Sequence, residues 1–297
     1  MPNLRYKVSR LDVAIAVPVF VVAAYAGYRV VFGLDYHWQW DVIPQYLVRF
    51  DPDGQRWTSS LLLQGFFTTI RLSIWATVLA VGIGFVLGLF SVSERLLLRL
   101  ISRGYVELIR NLPPLVLIFI FYYFISDQIL SHVGLDAWAR SAPEALQQGM
   151  RLLMAPPRHM VAFVSAVITL AVFEGAYITE IVRAGIESVD RGQREAAFAM
   201  GFTRGQTMGH VILPQALPPI LPPLAGQLIS TIKDSAIVSV ISIQDLTFQG
   251  LELMSATYLT FEIWIVITVM YLLLTLSCSA AVQYIESIVN KRFEQTS

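Results

Sequence analysis

Six apolar runs leave this chain little freedom in what it can become. They lie at approximately 12–33, 61–90, 105–126, 160–182, 216–243 and 262–287, each close to the ~20 residues that a helix needs to cross ~30 Å of hydrocarbon. The composition fits that solvent: 56% of the 297 residues are hydrophobic and 14% charged, against roughly a quarter charged in a soluble domain. The expected fold is all-α, a polytopic integral membrane protein. The fifth run departs from the pattern, because it contains Lys233 and Asp234 and opens with Pro218, Pro219, Pro222 and Pro223. An irregular start is expected there.

Charge decides the orientation. The chain is neutral overall, with 21 basic and 21 acidic residues, so no net field points to nucleic acid. The basic residues are unevenly placed. With the N-terminus inside, the cytoplasmic segments hold Arg5, Lys7, Arg10, Arg95, Arg99, Arg103, Arg183, Arg191, Arg194, Arg204, Lys291 and Arg292, twelve in all. The outer segments hold five: Arg49, Arg56, Arg140, Arg151 and Arg158. Basic loops stay cytoplasmic, so both termini are expected inside. Ala24-Tyr25-Ala26 in the first run also matches a secretory cleavage site, but the apolar stretch exceeds a signal core and an uncleaved span is favoured. The outer segments 34–60 and 127–159 carry no convincing strand pattern and are expected to form ordered loops or short surface helices. Trp38, Trp40 and Trp57 suit an interfacial belt.

Between the fourth and fifth runs lies the segment 190–216, DRGQREAAFAMGFTRGQTMGHVILPQA. Arg194 to Met200 is built of helix formers, Gly201 is suited to the left-handed residue that ends a helix, and 203–212 restarts one. Leu213-Pro214 is expected to stop it. Ala196 and Ala197 beside Glu195 make one part of the first helix thin enough to enter a groove on another protein. By composition alone this is an amphipathic linker.

The order of its residues says more. Glu195-Ala196-Ala197, then Gly201, then Val211-Ile212-Leu213-Pro214 resembles the EAA loop of ATP-binding-cassette importer permeases. The resemblance extends over about 61–290 and points to the polar amino acid branch. It includes Gly65-Phe66-Phe67-Thr68-Thr69-Ile70, Tyr105-Val106-Glu107 with Arg110-Asn111-Leu112-Pro113, Gly175 to Arg183, Gly192-Gln193, Leu213-Pro214-Gln215-Ala216 and Lys233-Asp234-Ser235. Asn111-Leu112 stands where the family usually has Gly-Thr, and the first run is additional to the five-span core. The resemblance implies three regions. Residues 1–60 hold a cytoplasmic end, an extra transmembrane helix and a periplasmic segment, 61–290 form the permease domain, and 291–297 form a cytoplasmic tail.

It also implies a bacterial inner-membrane importer whose partners are separate ATPase subunits, a second permease subunit, identical or related, and a periplasmic binding protein that delivers an amino acid. ATP and Mg would be held by the ATPase, with no cofactor in this chain. Gly192, Gln193, Glu195, Ala196, Ala197, Gly201, Leu213 and Pro214 are then the coupling residues. One feature agrees independently: no Gly-x-x-x-x-Gly-Lys-Ser/Thr phosphate loop occurs in the sequence. A secondary transporter or channel for a small polar solute would use the same spans and leave the 190–216 pattern unexplained.

Charges inside a span cost several kcal/mol (~2.5–3.5 each on insertion scales), so they face protein or water. Glu174, Lys233 and Asp234 are the candidates for the substrate pathway. An amino acid carries an ammonium and a carboxylate, and Glu174 with Lys233 would serve both; the same two could be a structural ion pair. Glu180 is explained by a local pair with Arg183. Arg71 and Arg110 are expected to snorkel to the inner surface or join a subunit interface. His37, His132, His159 and His210 lie apart with no ligand spacing, and the lone Cys278 reads as a buried hydrophobe, so neither a metal nor a catalytic site is expected.

Overall fold

The computed structural model describes residues 10–32, 36–52 and 55–294. Arg5, Lys7 and the residues beyond Glu294 therefore lie outside the described residues. The chain divides at Asp41 and Val42 into two compact units. The first contains helix α1 (Arg10–Phe32) and a stack of Trp38 on Trp40 with ring centroids 5.7 Å apart. The second, from Val42 onward, contains the 190–216 segment.

That second unit starts with a short helix, Pro44–Leu47, and a hairpin, β1 (Val48–Asp51) against β2 (Arg56–Ser59). Of the loops or short helices expected for 34–60, the short helix Pro44–Leu47 is present, and the strands are the correction. The strands are only four residues long, too short for alternation to register, and the pairing of Phe50 with Trp57 holds them through an edge-to-face ring contact at 5.4 Å.

Helix α2 (Leu61–Ser91) follows, then α3 (Leu96–Asn111) and α4 (Pro114–Tyr123), which continues as a wider π-type coil to Leu130. The third run is thus not one helix over 105–126. Leu112 precedes two prolines and is forced into the extended region (φ −95°, ψ 147°), and the chain bends by 114° at that break. Short helices Leu135–Ser141 and α5 (Glu144–Leu153) fill the 127–159 segment, as expected.

Helix α6 (Met160–Glu187) is the centre of the bundle: 67% of its apolar window is buried, against 11% for the last helix, α10 (Thr260–Glu294). In lipid, helices gain little from the hydrophobic effect and associate through close packing. Gly84 and Gly88 of α2 supply it. A Cβ on Gly84 would stand 2.4 Å from Ile178, and one on Gly88 2.5 Å from Val182, so α2 and α6 run in the same direction in near-backbone contact. Tyr105 of α3 donates its hydroxyl to the Val172 carbonyl at 2.5 Å, filling the space that Gly175 leaves.

Two further helices, α7 (Arg191–Ala199) and α8 (Leu213–Asp234), follow α6, and α9 (Leu246–Thr257) precedes α10. The irregular start expected for the fifth run is absent: α8 is helical through all four prolines. The reason is their placement. Ile212, Ala216 and Ile220 form the buried stripe against α6, whereas Pro219, Pro222 and Pro223 are exposed, so the carbonyls they strip of partners are not trapped in the core. Among the described residues, five helices are long and apolar enough to span a membrane, and six when the bent pair α3–α4 is one span.

Candidate functional site

The sequence of the 190–216 segment builds a stiff corner. Asp190 caps α7, its Oδ1 accepting the Gly192 N–H at 2.6 Å. A Cβ at residue 192 would stand 2.8 Å from that oxygen, which explains the glycine. At the other end Gly201 takes φ +83°. Its N–H reaches the Phe198 carbonyl at 3.0 Å and the Phe202 N–H reaches Ala197 at 3.1 Å, the two bonds of a Schellman motif. Thr203 and Gln206 then form a capping box that starts the next helical turn.

The expected stop at Leu213-Pro214 is not there. Wide π-type turns over Thr207–Ile212 lead without interruption into α8, so Pro214 lies within a continuous helical stretch and does not end one. The corner is therefore joined mechanically to a membrane helix. Gln215 donates to the Gln193 Oε1 at 3.3 Å, and Arg204 pairs with Glu94 in the α2–α3 connection.

Within the corner, Ala197 is fully buried against the bundle. Glu195 and Ala196 are exposed, and so are Phe198, Met200 and Phe202 around the left-handed turn. A small apolar surface beside Glu195 is thus left exposed on the corner.

The second cluster lies at the other end of α8. Glu174, midway along α6 and about 20 Å of helix from either end, is 0% exposed. Gln227 Nε2 donates to its Oε2, Thr231 and Asp234 lie beside it, and its Oε1 has no hydrogen-bond partner. Gln227, Thr231 and Asp234 are spaced i, i+4, i+7, one face of α8. Sequence reasoning missed the first two, although that spacing counted back from Asp234 could have found them. Lys233 is exposed and forms no ion pair with Glu174. The candidate pathway residues therefore divide: Glu174 and Asp234 come together, and Lys233 points elsewhere.

Other charges resolve locally. Arg183 is bridged to Glu180 at 2.7 Å, as expected, and also to Glu187 at 2.6 Å. Arg110 lies over the Tyr177 ring, 5.4 Å from its centroid. Arg71 does not snorkel inward: it donates to the Arg151 carbonyl at the C-terminus of α5, and Trp75 Nε1 donates to Leu153 at 2.8 Å. A cation and an indole donor complete that helix end. Among the described residues no group of three or more His, Cys, Asp or Glu is placed to hold a metal ion.

Known proteins are similar to this chain in sequence and in fold. Residues 80–291 match the family described as binding-protein-dependent transport system inner membrane component. The probable glutamine ABC transporter permease protein GlnM of Bacillus subtilis is 34% identical over 238 residues, 79% of this chain and 95% of that protein. The glutamine transport system permease protein GlnP of Escherichia coli K12 is 32% identical, covering 76% of this chain and 91% of its own. A crystal structure of an amino acid ABC transporter with histidines aligns at a TM-score of 0.60 with 34% identity, covering 76% of this chain and 93% of the other. This chain belongs to the family of binding-protein-dependent transport system inner membrane components.

Proposed function

We propose that this permease subunit imports an amino acid, provides the path across the membrane, and takes its driving force from a separate ATPase docked on the 190–216 corner. The observation that carries the proposal is continuity. Helix α8 begins at that corner, where Gln215 meets Gln193, and ends about 28 Å away at Asp234, beside the buried Glu174. A displacement imposed on the corner reaches the interior carboxylates through one helix and no loop.

Gly192, Gln193, Glu195, Ala196, Ala197, Gly201, Leu213 and Pro214 shape the docking surface. The exposed Phe198, Met200 and Phe202 offer the ATPase an apolar anchor. ATP and Mg belong to that partner, a reading supported by the missing phosphate loop in this chain. In the interior, Glu174 and Asp234 present acceptors to an amino acid's ammonium group, with Glu174 Oε1 free to accept. A second permease subunit and an external binding protein complete the assembly, and both termini lie in the cytoplasm, as the basic residues suggest.

The test is purification of the complex through a tag on this chain, with mass identification of what accompanies it and uptake of labelled amino acids by vesicles containing it. A nucleotide-binding subunit and ATP-dependent uptake are expected. Uptake driven by an ion gradient with no ATPase present would contradict the proposal.

A further inference from the structure

At the end of the bundle opposite the 190–216 corner, a cavity of about 910 Å³ opens between α2, the C-terminal end of α5 with the residues after it, and the start of α9. Three arginines line it, Arg71, Arg151 and Arg158, and no acidic residue does. Among the described residues none of the three is in an ion pair.

Arg71 is the least ordinary of them, since it lies ten residues into a membrane helix, roughly 15 Å from its start. Its Nε donates to the Phe67 carbonyl at 3.1 Å, one terminal nitrogen donates to Arg151 and the other to Thr68 Oγ1 at 3.3 Å. These contacts use three of five N–H donors and leave two for the cavity. Completing the end of α5 accounts for Arg71 in part. It does not account for the Arg151 and Arg158 side chains on the same wall.

The α9 wall carries the complementary group. Gln249 is 3% exposed, lines the cavity, and its Oε1 has no hydrogen-bond partner. Its position is fixed from behind. A Cβ at Gly65 would lie 2.9 Å from the Gln249 Cγ and 2.8 Å from the Asp245 carbonyl, and Thr69 Oγ1 accepts the Leu246 N–H at 3.1 Å. The Gly65 to Thr69 stretch therefore presses α9 onto α2 and holds a buried carbonyl oxygen, without a donor, in the wall of a basic cavity.

Unpaired guanidinium groups call for an anion, and a buried amide oxygen calls for an N–H. The head of a free α-amino acid supplies both. We infer that this cavity is a reception site for the substrate's zwitterionic head, its carboxylate on Arg151, Arg158 and the free donors of Arg71, its ammonium on Gln249. The inference rests on the amino acid import reading and adds a site distinct from Glu174. Its volume suits a small ligand with several waters.

The test uses the complete importer, purified through this chain, reconstituted in liposomes and supplied with the twenty ¹⁵N-labelled protein amino acids as a mixture. Arg151→Gln with Arg158→Gln, and separately Gln249→Met, should raise the KM for uptake by about tenfold at an unchanged yield of assembled complex. Arg151→Lys with Arg158→Lys should recover most of the loss. Unchanged uptake kinetics in both variants would overturn the assignment. So would unchanged uptake accompanied by loss of a tightly bound phospholipid from the variants, which would make the cavity a lipid site. A wild-type importer that takes up none of the twenty overturns the import reading and this site with it, an outcome distinct from a working importer indifferent to the variants.

Discussion

Gln193 and Gln215, twenty-two residues apart, meet at 3.3 Å and join α7 to the first turn of α8. Gln215 also donates to the Val211 carbonyl at 2.9 Å, which orients its amide toward Gln193. This side-chain tie adds to the stiffness that the Schellman motif and the capping box already give the turn between the two helices.

Removing that tie should therefore loosen coupling without dissolving the complex. An exposed hydrogen bond contributes about 0.5–1.5 kcal/mol, so Gln193→Ala should lower uptake per ATP hydrolysed by no more than about tenfold with normal assembly. Parallel measurement of uptake and hydrolysis in vesicles checks this. An unchanged ratio would show that the contact carries no coupling.

Glu174→Gln separates a pathway role from a structural one. Among the described residues no cation pairs with Glu174, and Lys233 is exposed. Removing the charge therefore strands no buried partner, a loss that otherwise costs about 3–5 kcal/mol. The complex should assemble in normal amount while uptake falls by about tenfold or more or shifts between basic, neutral and acidic amino acids. Reduced assembly would identify the residue as structural, and normal assembly with unaltered uptake would leave it without a role.

Asp245 gives a pH signature. It caps α9, accepting the Phe248 N–H at 2.8 Å, and burial pushes its pKa up from the usual 3.8 to about 7, opposed by that backbone bond and by Thr247. A folded form that holds the proton more tightly than the unfolded form gains stability in full below pH 3.8 and loses it as pH rises through 7. Thermal unfolding of the purified complex should thus occur at progressively lower temperature between pH 5 and 8. Asp245→Asn keeps the cap and should flatten this dependence. A slope unchanged in that variant would place the titrating group elsewhere.

Orientation is tested in a Cys278→Ser background by a single cysteine at residue 56 or residue 193. In intact cells a membrane-impermeant thiol reagent should label the first and spare the second. The reverse would invert the topology drawn from the basic residues.

The spans and the corner were legible in the sequence because each rests on local rules: run length for the helices, and Gly201 between two runs of helix formers for the turn. Misreadings arose where neighbours decide. Pro113-Pro114 was in view, yet the apolar run across it hid the bend. The α8 prolines, by contrast, looked like breakers and are tolerated because the buried stripe of Ile212, Ala216 and Ile220 lies on another face. Lys233 looked like a partner for Glu174 until α8 turned Gln227, Thr231 and Asp234 inward in its place. The four-residue strands around Phe50 and Trp57 left too little alternation to detect.

The proposed coupling through the corner is tested most directly at Gly201, whose φ of +83° places the Schellman bonds from Gly201 to Phe198 and from Phe202 to Ala197. A β-branched residue there costs about 1–2 kcal/mol in backbone strain and displaces Phe198, Met200 and Phe202 together. The deciding measurement is ATP-dependent uptake, alongside co-purification of the ATPase subunit, for Gly201→Val against wild type at equal amounts of this chain in the membrane. The account predicts that both fall together. Undiminished uptake with the ATPase retained would contradict it.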